Sequence, residues 1–197
     1  IAHPTEPLIW FFLFMLSTAL ICYFGVSGIE KTSKFMMPAL FVILLIIIVR
    51  GLTLPGAAAG LSFVLTPKLD DFSIHSVSAA LGQVFYSLSL CMGITITYGS
   101  YLHKDVSIPK GCIQIAVLDT CMAVLAGIAI FPAVFACGLE PASGPGLIFV
   151  TLPEVFSAMA GGPLFAALFF LLVLFAALTS AVALLEVSVS FVIGSWH

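Results

Sequence analysis

The sequence has very few charged residues. Six Lys and Arg and nine Asp and Glu make up 8% of its 197 residues, whereas hydrophobic residues make up 62%. A soluble domain carries roughly 25% charged residues, so this composition does not suit a water-facing surface. The shortage of charge also argues against a nucleic-acid-binding protein, whose phosphate contacts need many Lys and Arg side chains. The abundance of apolar sequence predicts a membrane protein that crosses the bilayer several times.

The sequence also lacks the patterns of a disulfide-rich domain, a metal cluster or an enzyme. Its five cysteines lie in or beside apolar segments without a CxxC pair, which favours small apolar core residues. There is no pair of nucleophile and base, so we predict no enzymatic activity. Residue 1 is Ile and no basic region precedes the first apolar run, so we expect an internal piece of a longer chain.

Five apolar runs approach the roughly 20 residues that a helix needs to cross a bilayer. They are continuously apolar, which favours helices over the alternating strands of a membrane barrel. The predicted spans are Leu8 to Phe24, Phe35 to Leu54, Val77 to Tyr101, Ile113 to Phe135 and Leu164 to Ile193. A shorter helical pattern at about 147–160 predicts an outer hairpin, which either lies over the mouth of the bundle or is a surface loop.

The basic residues are divided unevenly between the predicted loops. Lys31 and Lys34 lie in the first loop, and Lys104 and Lys110 lie in the third. Because cytoplasmic loops carry an excess of Lys and Arg, we predict that these two loops face the cytoplasm. Five crossings of the cell membrane then place the N-terminal end outside.

Two carboxylates lie inside the predicted spans, where a charge at mid-bilayer costs on the order of 2.5–3.5 kcal/mol on insertion scales. Asp119 is in the middle of the fourth span. It binds a cation, faces water, or is a neutral residue bonded to a neighbouring helix. Glu186 lies nearer the end of the fifth span, and we expect a helix-end carboxylate wetted by the cytoplasm.

Hydroxyl groups mark two further places in the spans. Ser87 and Ser89 lie near the middle of the third span, where a broken helix would expose backbone groups to a ligand. Thr179 and Ser180 lie among small residues in the fifth span, a pattern that suits close packing first and hard-cation ligation second. Together with Asp119, three spans bring oxygen atoms to a similar depth, which strengthens the ion-binding interpretation.

The second span begins with a segment bounded by Gly28 and Pro38. Pro38 removes a backbone donor and disfavours helix just before it, and Gly28 lowers the cost of unwinding. The segment is therefore a candidate for local opening. The alternative is an ordinary proline in a first helical turn with a glycine in the loop.

Six strings occur in order along the sequence. They are Gly28-Ile-Glu-Lys with Met37-Pro38, Gly82-Gln-Val-Phe-Tyr-Ser-Leu-Ser-Leu90, Ile96-Thr-Tyr-Gly-Ser-Tyr101, Ile130-Phe-Pro-Ala-Val-Phe135, Phe149-Val-Thr-Leu-Pro153 and Ala177-Leu-Thr-Ser180. With these strings the sequence resembles the neurotransmitter:sodium symporter family, in its bacterial amino-acid-transporting branch. The resemblance implies an all-α helical bundle in which the five spans are the fourth to eighth helices of an inverted-repeat, leucine-transporter-like fold with a broken sixth helix. The first, third and tenth helices of that fold are absent from this sequence.

The resemblance also implies roles for particular residues. It implies a substrate pocket formed by Tyr86, Ser87, Ser89, Met92, Ser180 and Leu184. It implies sodium ligands at Ser87 and Asp119 for a first ion, and at Ala176, Thr179 and Ser180 for a second. It implies a gate at Gly28 and Pro38, where unwinding lets water reach the second ion. A flexible thioether at Met92 is compatible with a bulky apolar or aromatic amino acid.

The function that the resemblance implies is sodium-coupled uptake of an amino acid by alternating access. Chloride-dependent members have a Ser one helical turn after an Asn, whereas this sequence has Asp119 and Ala123, so we hypothesise chloride-independent transport. The expected partners are the amino acid, sodium and the lipid bilayer, with no nucleic acid. Two alternatives stay open: a proton- or sodium-coupled carrier of another inverted-repeat family, and an incomplete, non-transporting remnant. A channel is less favoured, because the sequence has no repeated filter motif.

Overall fold

The structure is a computed structural model that describes residues 5–66, 72–103, 105–138 and 146–195. These residues form α-helices, a π-helical turn and connecting turns, without a strand. The helices are α1 (Thr5–Tyr23), α2 (Gly25–Leu52), α3 (Ala57–Leu65), α4 (Ile74–Ser87), α5 (Ile94–Ser100), α6 (Ile108–Ala136), α7 (Leu152–Ala158) and α8 (Gly162–Ser195), with the π-helical turn at Leu147–Thr151 before α7. The prediction of an all-α fold is confirmed.

Four of the described helices, α1, α2, α6 and α8, are long and apolar enough to cross a membrane. They overlap the first, second, fourth and fifth predicted spans. The third predicted span is divided between α4 and α5, neither of which is long enough to cross alone. The five exact spans and the orientation stay predictions, because they rest on length, composition and loop charge.

The second long helix begins earlier than the sequence analysis predicts. It starts at Gly25 rather than at Phe35, and Gly25 has a φ of 62°, which a glycine adopts without steric cost. Lys31 and Lys34 therefore lie on α2 and not in a loop. Lys104, used for the predicted orientation, lies outside the described residues.

The sequence analysis did not predict α3, which packs along α6. Gly60 lies directly against the α6 backbone: a Cβ atom at this position would lie 2.5 Å from the carbonyl oxygen of Phe131 and 2.6 Å from Cα of Pro132. The Phe63 ring lies 5.2 Å from the Phe131 ring and 5.3 Å from the Phe135 ring, between centroids. A helix of nine residues is marginal in isolation, so α3 depends on these contacts.

Replacing Gly60 with Ala is expected to destabilise the protein by about 1–3 kcal/mol, because the new methyl group meets backbone atoms that cannot rotate away. The measurement is thermal unfolding of the purified full-length protein in detergent. Gly82→Ala on α4 is the matched control, since nothing lies within 4 Å of a Cβ atom there. We expect this control to melt at the wild-type temperature or slightly above it. If Gly60→Ala has the same melting temperature as the Gly82→Ala control, the close contact between Gly60 and the α6 backbone is contradicted.

The hydrophobic core lies where α2, α6, α7 and α8 meet. Its buried members are Ile43, Leu44, Ile47, Ile48, Ala129, Ala133, Val134, Leu152, Val155, Phe156 and Phe169. On α7, Leu152 is 2% exposed and Val155 is fully buried. The predicted outer hairpin is therefore part of the core, and its alternative interpretation as an idle surface loop is wrong.

Arg50, near the end of α2, joins this helix to the turn between α7 and α8. Its Nη2 donates a hydrogen bond of 3.3 Å to the carbonyl oxygen of Ala160, and its Nη1 donates one of 3.2 Å to Oγ1 of Thr53. The guanidinium carbon lies 5.7 Å from the centroid of the Phe165 ring, within range of a cation–π interaction. The short α7 segment is thus attached to the bundle by polar as well as apolar contacts.

The five cysteines are free. Cys22 is buried and Cys137 is half-buried, but Cys91, Cys112 and Cys121 are exposed. The prediction that the cysteines are core residues is therefore correct for Cys22, partly correct for Cys137 and wrong for the other three. The periodicity of an apolar helix does not show which of its faces meets another helix, and this is the reason for the error.

Candidate ion and substrate site

The break between α4 and α5 is the most irregular part of the described backbone within a helical region. Between Ser87 and Ile94 the chain makes turns, and φ is positive at Ser89 (53°), Cys91 (65°) and Gly93 (77°). Positive φ is costly for residues with a side chain, and such strain is found mainly at functional sites. Because neither helix continues through this stretch, its backbone groups are candidates for binding a ligand.

Ser87, the last residue of α4, meets Asp119 in the middle of α6. The Ser87 hydroxyl donates a hydrogen bond of 2.8 Å to Oδ2 of the Asp119 carboxylate. The two residues that the resemblance assigns to the first sodium ion are therefore in direct contact. The same hydrogen bond also fits the alternative role of Asp119 as a residue that joins two helices.

A cavity of about 530 Å³ extends from this pair along the space between α5 and α6. Ser87, Ser89 and Asp119 lie on its wall together with Thr95, and the rest of the wall is mostly apolar, with Tyr98 among its members. A largely apolar cavity with a few oxygen atoms at one end is the usual form of a small-molecule site. The break, the carboxylate and the cavity thus occupy one place in the fold.

The second group of candidate ligands lies on α8. The Thr179 hydroxyl donates a hydrogen bond of 2.9 Å to the Ala176 carbonyl oxygen, so these two oxygen atoms are adjacent. Both residues are half-buried, whereas Ser180 is exposed. Hydroxyl and carbonyl oxygens are suitable ligands for a hard cation. The arrangement fits a second ion, although Thr179 makes the same bond that a structural threonine makes in a helix.

The described helices leave the side chains of the remaining predicted pocket residues largely exposed. Tyr86 is 70% exposed, Met92 is 40% exposed and Leu184 is 52% exposed. The described helices therefore provide one side of the predicted pocket. Gly93, at the end of the break, lies close to α8, since a Cβ atom there would be 3.1 Å from Cγ1 of Val187. This contact holds the end of the break against α8.

Glu186 is buried, which corrects the expectation of a wetted helix-end carboxylate. It is 4% exposed, and α8 continues to Ser195. Its Oε1 accepts a hydrogen bond of 2.7 Å from the Tyr101 hydroxyl, whereas Oε2 has no partner among the described residues. This pair was not predictable from local sequence, because Tyr101 and Glu186 are 85 positions apart.

No group of three or more His, Cys, Asp or Glu side chains that could hold a metal ion was found in the described ranges. The oxygen atoms gathered at the break and on α8 come instead from hydroxyl, carbonyl and single carboxylate groups. Such ligands, with little negative charge, fit a monovalent hard cation better than a transition metal, which favours imidazole or thiolate.

A helical bundle with a broken helix, a carboxylate beside the break and several bilayer-length helices is typical of membrane transporters. The sequence matches the profile of the Sodium:neurotransmitter symporter family over residues 3–197. The chain therefore belongs to the sodium:neurotransmitter symporter family, whose members are integral membrane transporters. This confirms the family resemblance and the membrane location.

Individual relatives agree with this assignment. The chain is 42% identical over 191 residues to the sodium-dependent transporter YhdH of Bacillus subtilis (strain 168), covering 96% of this chain and 42% of that protein. It is 40% identical over 188 residues to a sodium-dependent transporter of Haemophilus influenzae, covering 95% and 41%. It is 31% identical over 187 residues to the mouse sodium- and chloride-dependent GABA transporter 2, covering 88% and 31%. The chain spans less than half the length of these relatives.

Proposed function

We propose that the protein to which this chain belongs takes up an amino acid by sodium-coupled symport across the cell membrane. The observation that carries the proposal is the Ser87–Asp119 hydrogen bond at the break between α4 and α5. A carboxylate at this depth is costly unless it is neutralised or holds a cation. Sodium bound at this pair offsets that cost. The bacterial relatives are named sodium-dependent transporters, which supports the choice of ion.

The proposal places two sodium ions in the site. Ser87 and Asp119 hold the first beside the break. Ala176, through its carbonyl oxygen, and Thr179 and Ser180, through their hydroxyl groups, hold the second on α8. The 2.9 Å bond between Thr179 and Ala176 supports this second position, because it already brings two ligand oxygens together.

The proposed substrate lies against the break. Ser87 and Ser89 present hydroxyl and backbone groups to its amino end, and Tyr86 covers it. Met92, Ser180 and Leu184 complete the wall. The mostly apolar cavity that starts at Ser87 supports an apolar or aromatic amino acid. The flexible Met92 side chain adapts to a bulky substrate.

Transport in this proposal needs no chloride. Asp119 supplies the negative charge that balances sodium, so an anion from solution is not required. The names of the bacterial relatives specify sodium alone, whereas that of the mouse relative adds chloride.

Sodium and substrate drive transport through reciprocal coupling. Each binds more tightly when the other is present, so the inward sodium gradient moves the amino acid uphill while the site opens to one side at a time. Gly28 and Pro38 bound the stretch of α2 that we place beside the cytoplasmic route from the second ion.

The test is uptake of radiolabelled amino acids by the full-length protein in liposomes. We expect uptake of one or more apolar or aromatic amino acids with an inward sodium gradient, no uptake with potassium in place of sodium, and no change when gluconate replaces chloride. A strict chloride requirement would contradict the charge-balancing role proposed for Asp119. Uptake driven by a proton gradient without sodium would favour the alternative carrier, and absence of uptake would favour a non-transporting remnant.

A further inference from the structure

Two lysines lie together on α2, close to its N-terminal end. Lys31 and Lys34 are three residues apart, a spacing that places their side chains beside each other on a helix. Both are exposed, and neither forms an ion pair with a residue in the described part of the chain. This holds even for Glu30, which precedes Lys34 by one turn. The two ammonium groups are therefore open to an anion from outside these residues.

An open groove of about 440 Å³ lies on the N-terminal side of the two lysines. Lys31 and Phe24 line it, together with Gly28, which has no side chain to fill the space. The hydroxyl groups of Ser27 and Thr32 belong to residues of the same wall, and neither makes a side-chain hydrogen bond within the described ranges. An ammonium group and two hydroxyl groups are hydrogen-bond donors that suit a phosphate.

A second open groove, of about 430 Å³, lies further along α2. Lys34 is its only charged lining residue. The rest of its wall is apolar and consists of Phe35, Pro38, Ala39, Val42 and Ile43. Phe35 is 70% exposed and Val42 is 53% exposed. At the two lysines the surface of α2 thus changes from polar donors to apolar side chains, in the same order as the headgroup and acyl chains of a phospholipid.

The position of the lysines along α2 places them at the edge of the bilayer. Arg50 is the next charged residue on α2 after Lys34, and the helix rises about 24 Å between them. The hydrocarbon core is roughly 30 Å thick, and long basic side chains extend towards the interface. When α2 crosses the bilayer, Lys34 and Arg50 therefore lie near its opposite surfaces. The first groove is then level with the headgroups, and the second is level with the beginning of the acyl chains.

We propose that Lys31 and Lys34 bind an anionic phospholipid, with its phosphate in the first groove and an acyl chain in the second. A lipid fills both grooves at once, whereas a free phosphate fills only the first. The predicted cytoplasmic side of the lysines fits this partner, because anionic lipids are concentrated in the cytoplasmic leaflet. None of the proposed sodium or substrate ligands lines either groove. The lipid site is therefore independent of the transported substrate.

The experiment measures the binding of radiolabelled phosphatidylglycerol to the purified full-length protein in detergent. We expect Lys31→Gln and Lys34→Gln each to weaken binding by about fivefold, and the double variant by about 25-fold, which corresponds to the attraction of one basic residue to an anionic lipid surface. Lys31→Arg and Lys34→Arg keep the charge and should bind within about twofold of wild type. Lys110→Gln on α6 is the matched control, because Lys110 is exposed but lines neither groove. It should bind the lipid as wild type does.

Several results would overturn the lipid site. Undiminished binding in the double variant, or no binding by the wild-type protein, would show that the two lysines hold no lipid. Equal weakening in Lys110→Gln would indicate a general attraction to basic residues, and equally tight binding of phosphatidylcholine would show no preference for an anionic headgroup. Displacement by glycerol phosphate at the same concentration would identify a free phosphate ester as the ligand, since this compound has no acyl chain for the second groove.

Discussion

Replacing Asp119 with Asn is expected to raise the sodium concentration for half-maximal uptake by at least about tenfold, which is the low end of the loss seen when residues around a metal ion are changed. The amide still accepts the 2.8 Å hydrogen bond from Ser87, so the contact between α4 and α6 survives. Only the negative charge is lost. A higher half-maximal sodium concentration with an unchanged melting temperature would therefore identify the charge, and not the helix contact, as the contribution of Asp119.

The control for this prediction is the neighbouring residue on α6. Thr120 donates a hydrogen bond of 2.8 Å to the carbonyl oxygen of Ala116 on its own helix, so Thr120→Val should leave the sodium dependence unchanged. A double-mutant cycle with Ser87→Ala measures the coupling, which we expect at about 0.5–3 kcal/mol for residues in direct contact. Wild-type sodium dependence in Asp119→Asn would leave Asp119 with a structural role alone.

The second large effect is expected at Tyr101 and Glu186, a hydrogen-bonded pair that joins the end of α5 to α8. Replacing Tyr101 with Phe should destabilise the protein by about 1–3 kcal/mol, because it leaves a buried acceptor without its donor. Glu186 is 4% exposed, and its other oxygen already lacks a partner in the ranges that the structure describes. The measurement is thermal unfolding of the purified protein in detergent.

Two further variants show whether the loss of stability in Tyr101→Phe comes from its hydrogen bond to Glu186. Tyr98→Phe removes an α5 hydroxyl group that makes no side-chain hydrogen bond to the described residues, and it should cost much less stability. Adding Glu186→Leu to Tyr101→Phe removes the orphaned carboxyl group, and we expect part of the stability to return. Equal melting temperatures for Tyr98→Phe and Tyr101→Phe would show that the Tyr101–Glu186 bond contributes nothing to stability.

The break in the third predicted span was implied by the family resemblance, and the structure places it at 88–93. The helical class was also predicted, and so was the choice of Ser87 and Asp119 as candidates. The beginning of α2 was not predicted correctly, because its first turns carry charged residues that resemble a loop. The helix α3 was missed because nine residues without caps give a weak local pattern, and its packing on α6 through Gly60 is a tertiary contact.

The sequence by itself determined that this is a helical membrane protein of the symporter family, because hydrophobic length and ordered motifs are properties of contiguous residues. The tertiary structure decided which polar groups meet. It joined Ser87 to Asp119 across 32 positions and buried Glu186 against Tyr101. Each of these facts depends on how separate helices pack. Hydrophobic periodicity within a single helix does not contain that information.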